Sequence, residues 1–210
     1  MFKKIKKLTY TRTFRIIING VWKDNPIFCM ILGICSSLAI TNRVENALAM
    51  GVGVTFVTVA TSVIISAIRN FIPSRVRMIT YMVVISTFVI CVDQFLKAFF
   101  PVISEAMGPY VGLIITNCIV MGRAEAFAIK NPVGYSFLDA LSCGIGYTYT
   151  LIIMSIIREL LAFGTILRHR IMPQTWTNWV VLAMAPGAFV LLALYLWVMR
   201  TLAKIEPEKT

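Results

Sequence analysis

Apolar residues form six blocks along the chain, separated by short polar and basic segments. The blocks are Pro26–Thr41, Ala47–Ile68, Met78–Leu96, Tyr110–Gly122, Leu138–Ile157 and Trp179–Met199. A transmembrane helix needs about 20 mostly apolar residues, and the second, third, fifth and sixth blocks meet that length. The first and fourth blocks are shorter, which predicts broken or half helices at these two places.

The composition agrees with a protein that lies within a membrane. Hydrophobic residues make up 59% of the chain and charged residues 14%, whereas a soluble domain carries about 25% charged residues. A soluble globular domain is therefore excluded. The net charge of +11 comes from basic residues between the apolar blocks, where they orient a membrane protein rather than bind nucleic acid. Their distribution predicts a multi-pass protein with both termini in the cytoplasm.

A cysteine and a following Arg-x-Glu recur once in each half of the chain. The members are Cys35 with Arg43 and Glu45, and Cys118 with Arg123 and Glu125. Three spans per half give the two halves opposite orientations in the membrane. The predicted fold is an all-α integral membrane protein of six transmembrane helices, built as two inverted three-helix repeats with broken or half helices at the first and fourth spans.

This pattern divides the chain into four parts. We expect a basic, amphipathic cytoplasmic segment over residues 1–25, a first three-helix repeat over 26–100, a second over 101–200, and a polar tail over 201–210.

Cys35 and Cys118 occupy equivalent positions in the two short blocks, where a binding site near the midplane is expected. Buried cysteine is also an ordinary packing residue, and that interpretation stays open. Structural zinc and iron–sulfur clusters both need four protein ligands. Two cysteines and one distant histidine, His169, fall short of that number, so a related partner chain would have to supply the other two ligands.

Ionisable side chains within apolar blocks are candidates for an ion pathway. Asp93 and Asp139 are of this kind, because a carboxylate at membrane depth costs about 2.5–3.5 kcal/mol on insertion scales. The alternative is that both lie near a hydrated interface. For the two Arg-x-Glu motifs we predict ion pairs across the repeat, which join Arg43 to Glu125 and Arg123 to Glu45.

Two stretches around the cysteines carry a family resemblance. Residues 32–41 and 112–128 resemble the paired signatures of the family that contains the D subunit of the sodium-translocating NADH:quinone oxidoreductase and the E subunit of the Rnf complex. Residues 25–26, 68–73, 92–94 and 158–160 are also similar to that family. Ser36 and residues 92–94 are more similar to the D subunit of the sodium-translocating enzyme.

The resemblance implies a membrane subunit of a redox-driven sodium pump, with no activity on its own. It implies that Cys35 and Cys118 hold a [2Fe–2S] cluster together with two cysteines of the pump's homologous E subunit, which has the opposite topology. The A, B, C and F subunits would complete the complex in the bacterial inner membrane, binding the flavins and the quinone. The partners are therefore other subunits and the lipid bilayer, with no nucleic acid.

Two alternatives remain open at the level of sequence. One is the E subunit of an Rnf-type complex, which exchanges electrons between ferredoxin and NAD. The other is a small secondary transporter with an inverted repeat and no iron.

Overall fold

The computed structural model describes residues 25–27, 29–99, 101–166, 169–170, 181 and 184–203. Residues 1–24, which include nearly all of the predicted amphipathic segment, lie outside this range, as do residues 204–210 of the polar tail.

The described part of the chain is helical, apart from one short ladder of two strands. The elements are α1 (Ile34–Ile40), α2 (Val44–Ile68), α3 (Arg77–Phe99), α4 (Pro101–Ile115), α5 (Cys118–Arg123), a π-helix (Ala124–Ala128), α6 (Val133–Phe163), β1 (Thr165–Ile166), β2 (His169–Arg170) and α7 (Ala185–Ala203). The two strands pair antiparallel. Gly164 ends α6 in the left-handed region, at φ 66°, a conformation that glycine adopts without a steric penalty.

Four helical stretches are long and apolar enough to cross a membrane. They are Val44–Ile68, Arg77–Phe99, Tyr110–Ala128 and Val133–Phe163, and a shorter apolar helix covers Pro186–Thr201. The all-helical membrane class is thus confirmed. The count of six spans and the inverted relation of the two halves stay predictions.

The fourth apolar block extends further than its sequence pattern indicates. We expected it to end at Gly122, but helical structure continues through the π-helix to Ala128. The expectation was too short because Arg123 and Glu125 looked like a polar boundary. Arg123 is instead buried beside Asp139 at 3.5 Å, and Glu125 pairs with Arg77 at 3.2 Å, so the helix carries both charges with partners.

Helices α2 and α6 form the centre of the molecule and cross through a reciprocal contact. A Cβ added to Gly51 would lie 2.6 Å from Thr148 Cγ2, and one added to Gly144 would lie 2.6 Å from Thr55 Cγ2. The two threonine hydroxyls are 3.3 Å apart and 93 positions apart in sequence, the same interval that separates the two glycines. Gly51, the earlier position on α2, contacts Thr148, the later position on α6, and Thr55 contacts Gly144. The two helices therefore run antiparallel.

An apolar groove of about 580 Å³ opens along one side of this crossing. The same interval of 93 positions relates eight of its nine lining residues in pairs, and Leu141 is the ninth. The pairs are Val52 with Ile145, Thr55 with Thr148, Phe56 with Tyr149, and Val59 with Ile152. Each threonine hydroxyl donates to a carbonyl of its own helix, so the groove offers an apolar surface to its surroundings.

Candidate functional site at the two helix breaks

The first break is the non-helical segment of residues 29–33, which directly precedes the helix that carries Cys35. Ile31 and Gly33 both have positive φ, at 55° and 78°, and Gly33 is the N-terminal flanking residue of α1. A Cβ at Gly33 would lie 2.5 Å from Ile119 Cδ1. Glycine is therefore required here twice, for its left-handed backbone and for the close approach of the second half of the chain. The Cys35 side chain that follows is exposed.

The second break separates α4 from α5 and lies just before Cys118. The helix stops at Ile115, and α5 restarts at Cys118 with Asn117 as its N-cap. The Asn117 Oδ1 accepts a hydrogen bond from the Ile119 amide at 3.0 Å, which satisfies one of the free N–H groups at a helix start. Cys118 is also exposed.

The two breaks contact each other directly. The Gly33 amide donates a hydrogen bond to Cys118 Sγ at 2.8 Å, across 85 positions of sequence. Asn117 Nδ2 donates to Ser36 Oγ at 3.4 Å, and Ser36 Oγ lies 2.6 Å from the Tyr147 hydroxyl. The structure therefore brings together the two cysteine-bearing breaks that the sequence singled out, as the equivalence of the two short blocks predicts.

The two thiols are the donors that this chain offers to a metal at this place. Among the residues that the structure describes, no group of three or more His, Cys, Asp or Glu side chains could hold a metal ion. Cys143 is buried on α6 and accepts a hydrogen bond from Arg123 Nε at 3.3 Å. Two exposed thiols beside contacting helix starts supply half of the donors that a four-thiolate centre needs, and their role as metal ligands stays a prediction.

The two candidate acids have different surroundings. Asp139 is 6% exposed and lies 3.5 Å from the guanidinium of Arg123, which is also buried. Asp93 pairs with Lys97 one turn further along α3, where both residues approach the exposed end of the helix. A role of either acid in an ion pathway stays a prediction.

The residues of the two Arg-x-Glu motifs lie at the starts and breaks of helices. Arg43 flanks the start of α2, and Glu45 lies in its first turn. Glu125 accepts hydrogen bonds from the Tyr81 hydroxyl at 2.6 Å and from Arg77 at 3.2 Å. Arg77 and Tyr81 are thus partners that sequence spacing did not indicate, and the predicted pairing across the repeat is untested.

Arg158 and Glu159 hold the break between α1 and α2. The buried Arg158 guanidinium donates to the Leu38 carbonyl at 2.8 Å and to Thr41 Oγ1 at 2.9 Å. Glu159 Oε2 accepts from the Val44 amide at 2.9 Å. A cation thus lies at the C-terminal end of one helix and an anion at the N-terminal end of the next, as the helix dipoles favour.

Sequence reasoning did not assign a role to Tyr147, nor to the glycines and threonines of the α2–α6 crossing. Gly51-x-x-x-Thr55 and Gly144-x-x-x-Thr148 form a repeated pattern of small residues, which is typical of close helix packing in membranes. That repeat could have predicted the crossing. Tyr147 has no comparable signal, because one aromatic residue in an apolar block is usually a packing residue.

Comparison with known proteins assigns most of the chain to one family. Residues 13–196 match the model of the family described as "Rnf-Nqr subunit, membrane protein". A protein of Chlamydia felis, named as the D subunit of the Na(+)-translocating NADH-quinone reductase, is 45% identical over 202 residues, which cover 91% of this chain and 95% of that protein.

Two further relatives carry the same name. The protein of Chlamydia pneumoniae is 46% identical over 187 residues, covering 84% of this chain and 88% of its own length. The protein of Psychromonas ingrahamii is 45% identical over 201 residues, covering 92% and 96%. With the family match and these identities over nearly its whole length, the chain belongs to the Rnf-Nqr family of membrane subunits.

Proposed function

We propose that this chain is a membrane subunit of a sodium-translocating NADH:quinone reductase, in which it relays electrons across the interior of the membrane. The relatives at 45–46% identity bear the name of the D subunit of that complex, which favours it over the Rnf alternative. The complex is an oxidoreductase, and this subunit has no activity by itself. Both termini lie in the cytoplasm, and the protein lies in the bacterial inner membrane.

Cys35 and Cys118 supply two of the four ligands of a [2Fe–2S] cluster, and the homologous E subunit, of opposite topology, supplies the other two. When bound, the cluster provides one-electron transfer. The contact between the Gly33 amide and Cys118 Sγ at 2.8 Å is the observation that carries this proposal, because it joins the two cysteine-bearing breaks across the two halves of the chain. Hydrogen bonds to ligating sulfurs are one of the ways in which proteins tune such centres.

The remaining chemistry of the complex lies in other chains. The A, B, C and F subunits bind the flavins and the quinone and complete the sodium pump. Within this chain the halves form two inverted three-helix repeats, a proposal supported by the antiparallel and reciprocal contact of Gly51 with Thr148 and Gly144 with Thr55. Asp93 and Asp139 stay candidates for the sodium pathway.

The test is iron and acid-labile sulfide analysis of the purified complex, with electron paramagnetic resonance of its reduced form. Cys35→Ser and Cys118→Ser should each remove one [2Fe–2S] signal and its iron while the subunits remain assembled. Cys91→Ser is the matched control, because Cys91 is also exposed but lies on α3, and it should keep the full iron content. If both site variants retain all of their iron and every signal, the proposal is wrong and a transporter or scaffold function gains.

A further inference from the structure

Tyr147 is a fully buried side chain of α6, and it contacts the break before Cys35. Its hydroxyl lies 2.6 Å from Ser36 Oγ, and a Cβ added to Gly33 would lie 3.2 Å from its Cε2 atom. Ser36 directly follows Cys35, and Gly33 carries the amide that donates to Cys118 Sγ. One residue of a long helix therefore packs against residues on both sides of Cys35.

The direction of each hydrogen bond in this group follows from the valence of Ser36. Its hydroxyl has one proton, which it donates to the Gly33 carbonyl at 3.0 Å. Its oxygen must then accept from the Tyr147 hydroxyl, and it also accepts from Asn117 Nδ2 at 3.4 Å. Ser36 Oγ thus makes one donated and two accepted hydrogen bonds, which is its full capacity.

Gly33 lies at the end of this network with both of its backbone groups engaged. Its carbonyl accepts from Ser36 Oγ at 3.0 Å and from the Ser37 amide at 3.1 Å, and its amide donates to Cys118 Sγ. The link from Tyr147 to Cys118 runs through Ser36 and Asn117, because Asn117 Nδ2 donates to Ser36 Oγ and Asn117 is the N-cap of the helix that begins at Cys118. The orientation of the Ser36 hydroxyl in turn depends on Tyr147.

We propose that Tyr147 is a positioning residue that sets the separation and the hydrogen bonding of Cys35 and Cys118, acting through Ser36, which follows Cys35, and Asn117, which precedes Cys118. The part of this inference that concerns a bound cluster rests on the proposed function, and the part that concerns the two thiols does not. Loss of the Tyr147 hydroxyl frees Ser36 to reorient and to release Asn117. Cys118 then shifts relative to Gly33, and the Gly33 N–H···Sγ hydrogen bond weakens. Because that hydrogen bond stabilises the more negative, reduced state, its loss lowers the reduction potential of a cluster held by Cys118.

The first measurement needs no iron. The full chain is purified in detergent with Cys29 and Cys91 replaced by serine, and is treated with dibromobimane, which becomes fluorescent when it bridges two thiols. Tyr147→Phe and Ser36→Ala should each change the yield of the Cys35–Cys118 bridge by at least twofold. Tyr149→Phe is the matched control, because Tyr149 is an exposed tyrosine of the same helix, and it should leave the yield unchanged.

The second measurement uses the assembled complex. Tyr147→Phe should retain its iron, and a redox titration followed by electron paramagnetic resonance should give a lower midpoint potential. The double variant Tyr147→Phe/Ser36→Ala should show the same shift as Tyr147→Phe alone, since both changes act through one hydrogen bond. A purely structural role would reduce the iron content without moving the potential.

Unchanged bridging and an unchanged potential in Tyr147→Phe would overturn the inference. A wild-type complex without any iron signal, combined with altered bridging in Tyr147→Phe, would refute the proposed function and support the positioning role. Full iron in the wild type, with no effect of Tyr147→Phe or Ser36→Ala on bridging or potential, would support the proposed function and overturn the positioning role.

Discussion

Gly144→Ala tests whether the α2–α6 crossing determines the stability of the fold. The added Cβ would lie 2.6 Å from Thr55 Cγ2, 2.7 Å from Thr55 Oγ1 and 2.9 Å from Thr55 Cβ. All three distances are far below ordinary van der Waals contact, and Thr55 is a β-branched side chain whose rotamers are restricted in a helix. The helices must therefore separate or shift.

Overpacking of this kind costs about 1–3 kcal/mol, and the folded-to-unfolded ratio changes tenfold for about every 1.4 kcal/mol. Gly112→Ala is the matched control, because Gly112 lies within α4 and a Cβ there meets nothing within 4 Å. It gains the helix propensity of alanine without the clash. The stability difference between the two variants therefore isolates the steric cost.

The assay is unfolding in mixed micelles with increasing SDS, followed by tryptophan fluorescence. Gly144→Ala should unfold at a lower SDS fraction than Gly112→Ala. Adding Thr55→Ala removes the two closest atoms and should recover part of the loss, with a coupling of at least about 0.5 kcal/mol. Equal stability of Gly144→Ala and Gly112→Ala would refute the assigned close contact.

Three further predictions concern charged side chains. Arg158→Met leaves helix carbonyls without their donor and should cost about 1–3 kcal/mol in the same SDS titration, whereas Arg75→Met, at an exposed position, should change the midpoint little. Arg123→Met leaves the buried Asp139 carboxylate without its cation and should cost about 3–5 kcal/mol, and the yield of folded protein should recover when Asp139→Leu is added. Lys97→Met removes a pair whose lysine is exposed and should cost at most about 0.5 kcal/mol, so a large loss of stability there would contradict the surface assignment.

Much of the fold could be predicted from hydropathy, because a membrane imposes a length on every helix that crosses it. The breaks before Cys35 and Cys118 followed from the two short blocks. The end of the fourth block could not be predicted, because a charged residue such as Arg123 normally marks the polar end of an apolar block. Only the structure shows that Asp139 lies beside Arg123 and pairs with it. These two residues lie on different helices, and their pairing depends on how α5 packs against α6.

The candidate site was predictable only in part for a similar reason. The cysteines stand out because each lies at an equivalent point of the two halves. Tyr147 does not, since its contact with Ser36 spans 111 positions and depends on the hydrogen-bonding capacity of one serine oxygen. Sequence spacing identifies residues that share a local pattern. The donors and acceptors around one serine oxygen can be counted only when the positions of the atoms are known.

The contact of Gly51 with Thr148 and of Gly144 with Thr55 places the same pair of residue types on both helices. An isologous interface between two copies of one chain has this property, but here both helices belong to a single chain. A three-helix chain that inserted into the bilayer in both orientations would make the same contact with its own copy. Under the inverted repeat proposed above, joining two such copies in one polypeptide fixes their stoichiometry at one to one and ensures that each always meets a counterpart of opposite orientation. It would also free the copies to diverge: Arg158 and Glu159 contact the segment between α1 and α2, whereas Glu125 of the π-helix pairs with Arg77 and Tyr81.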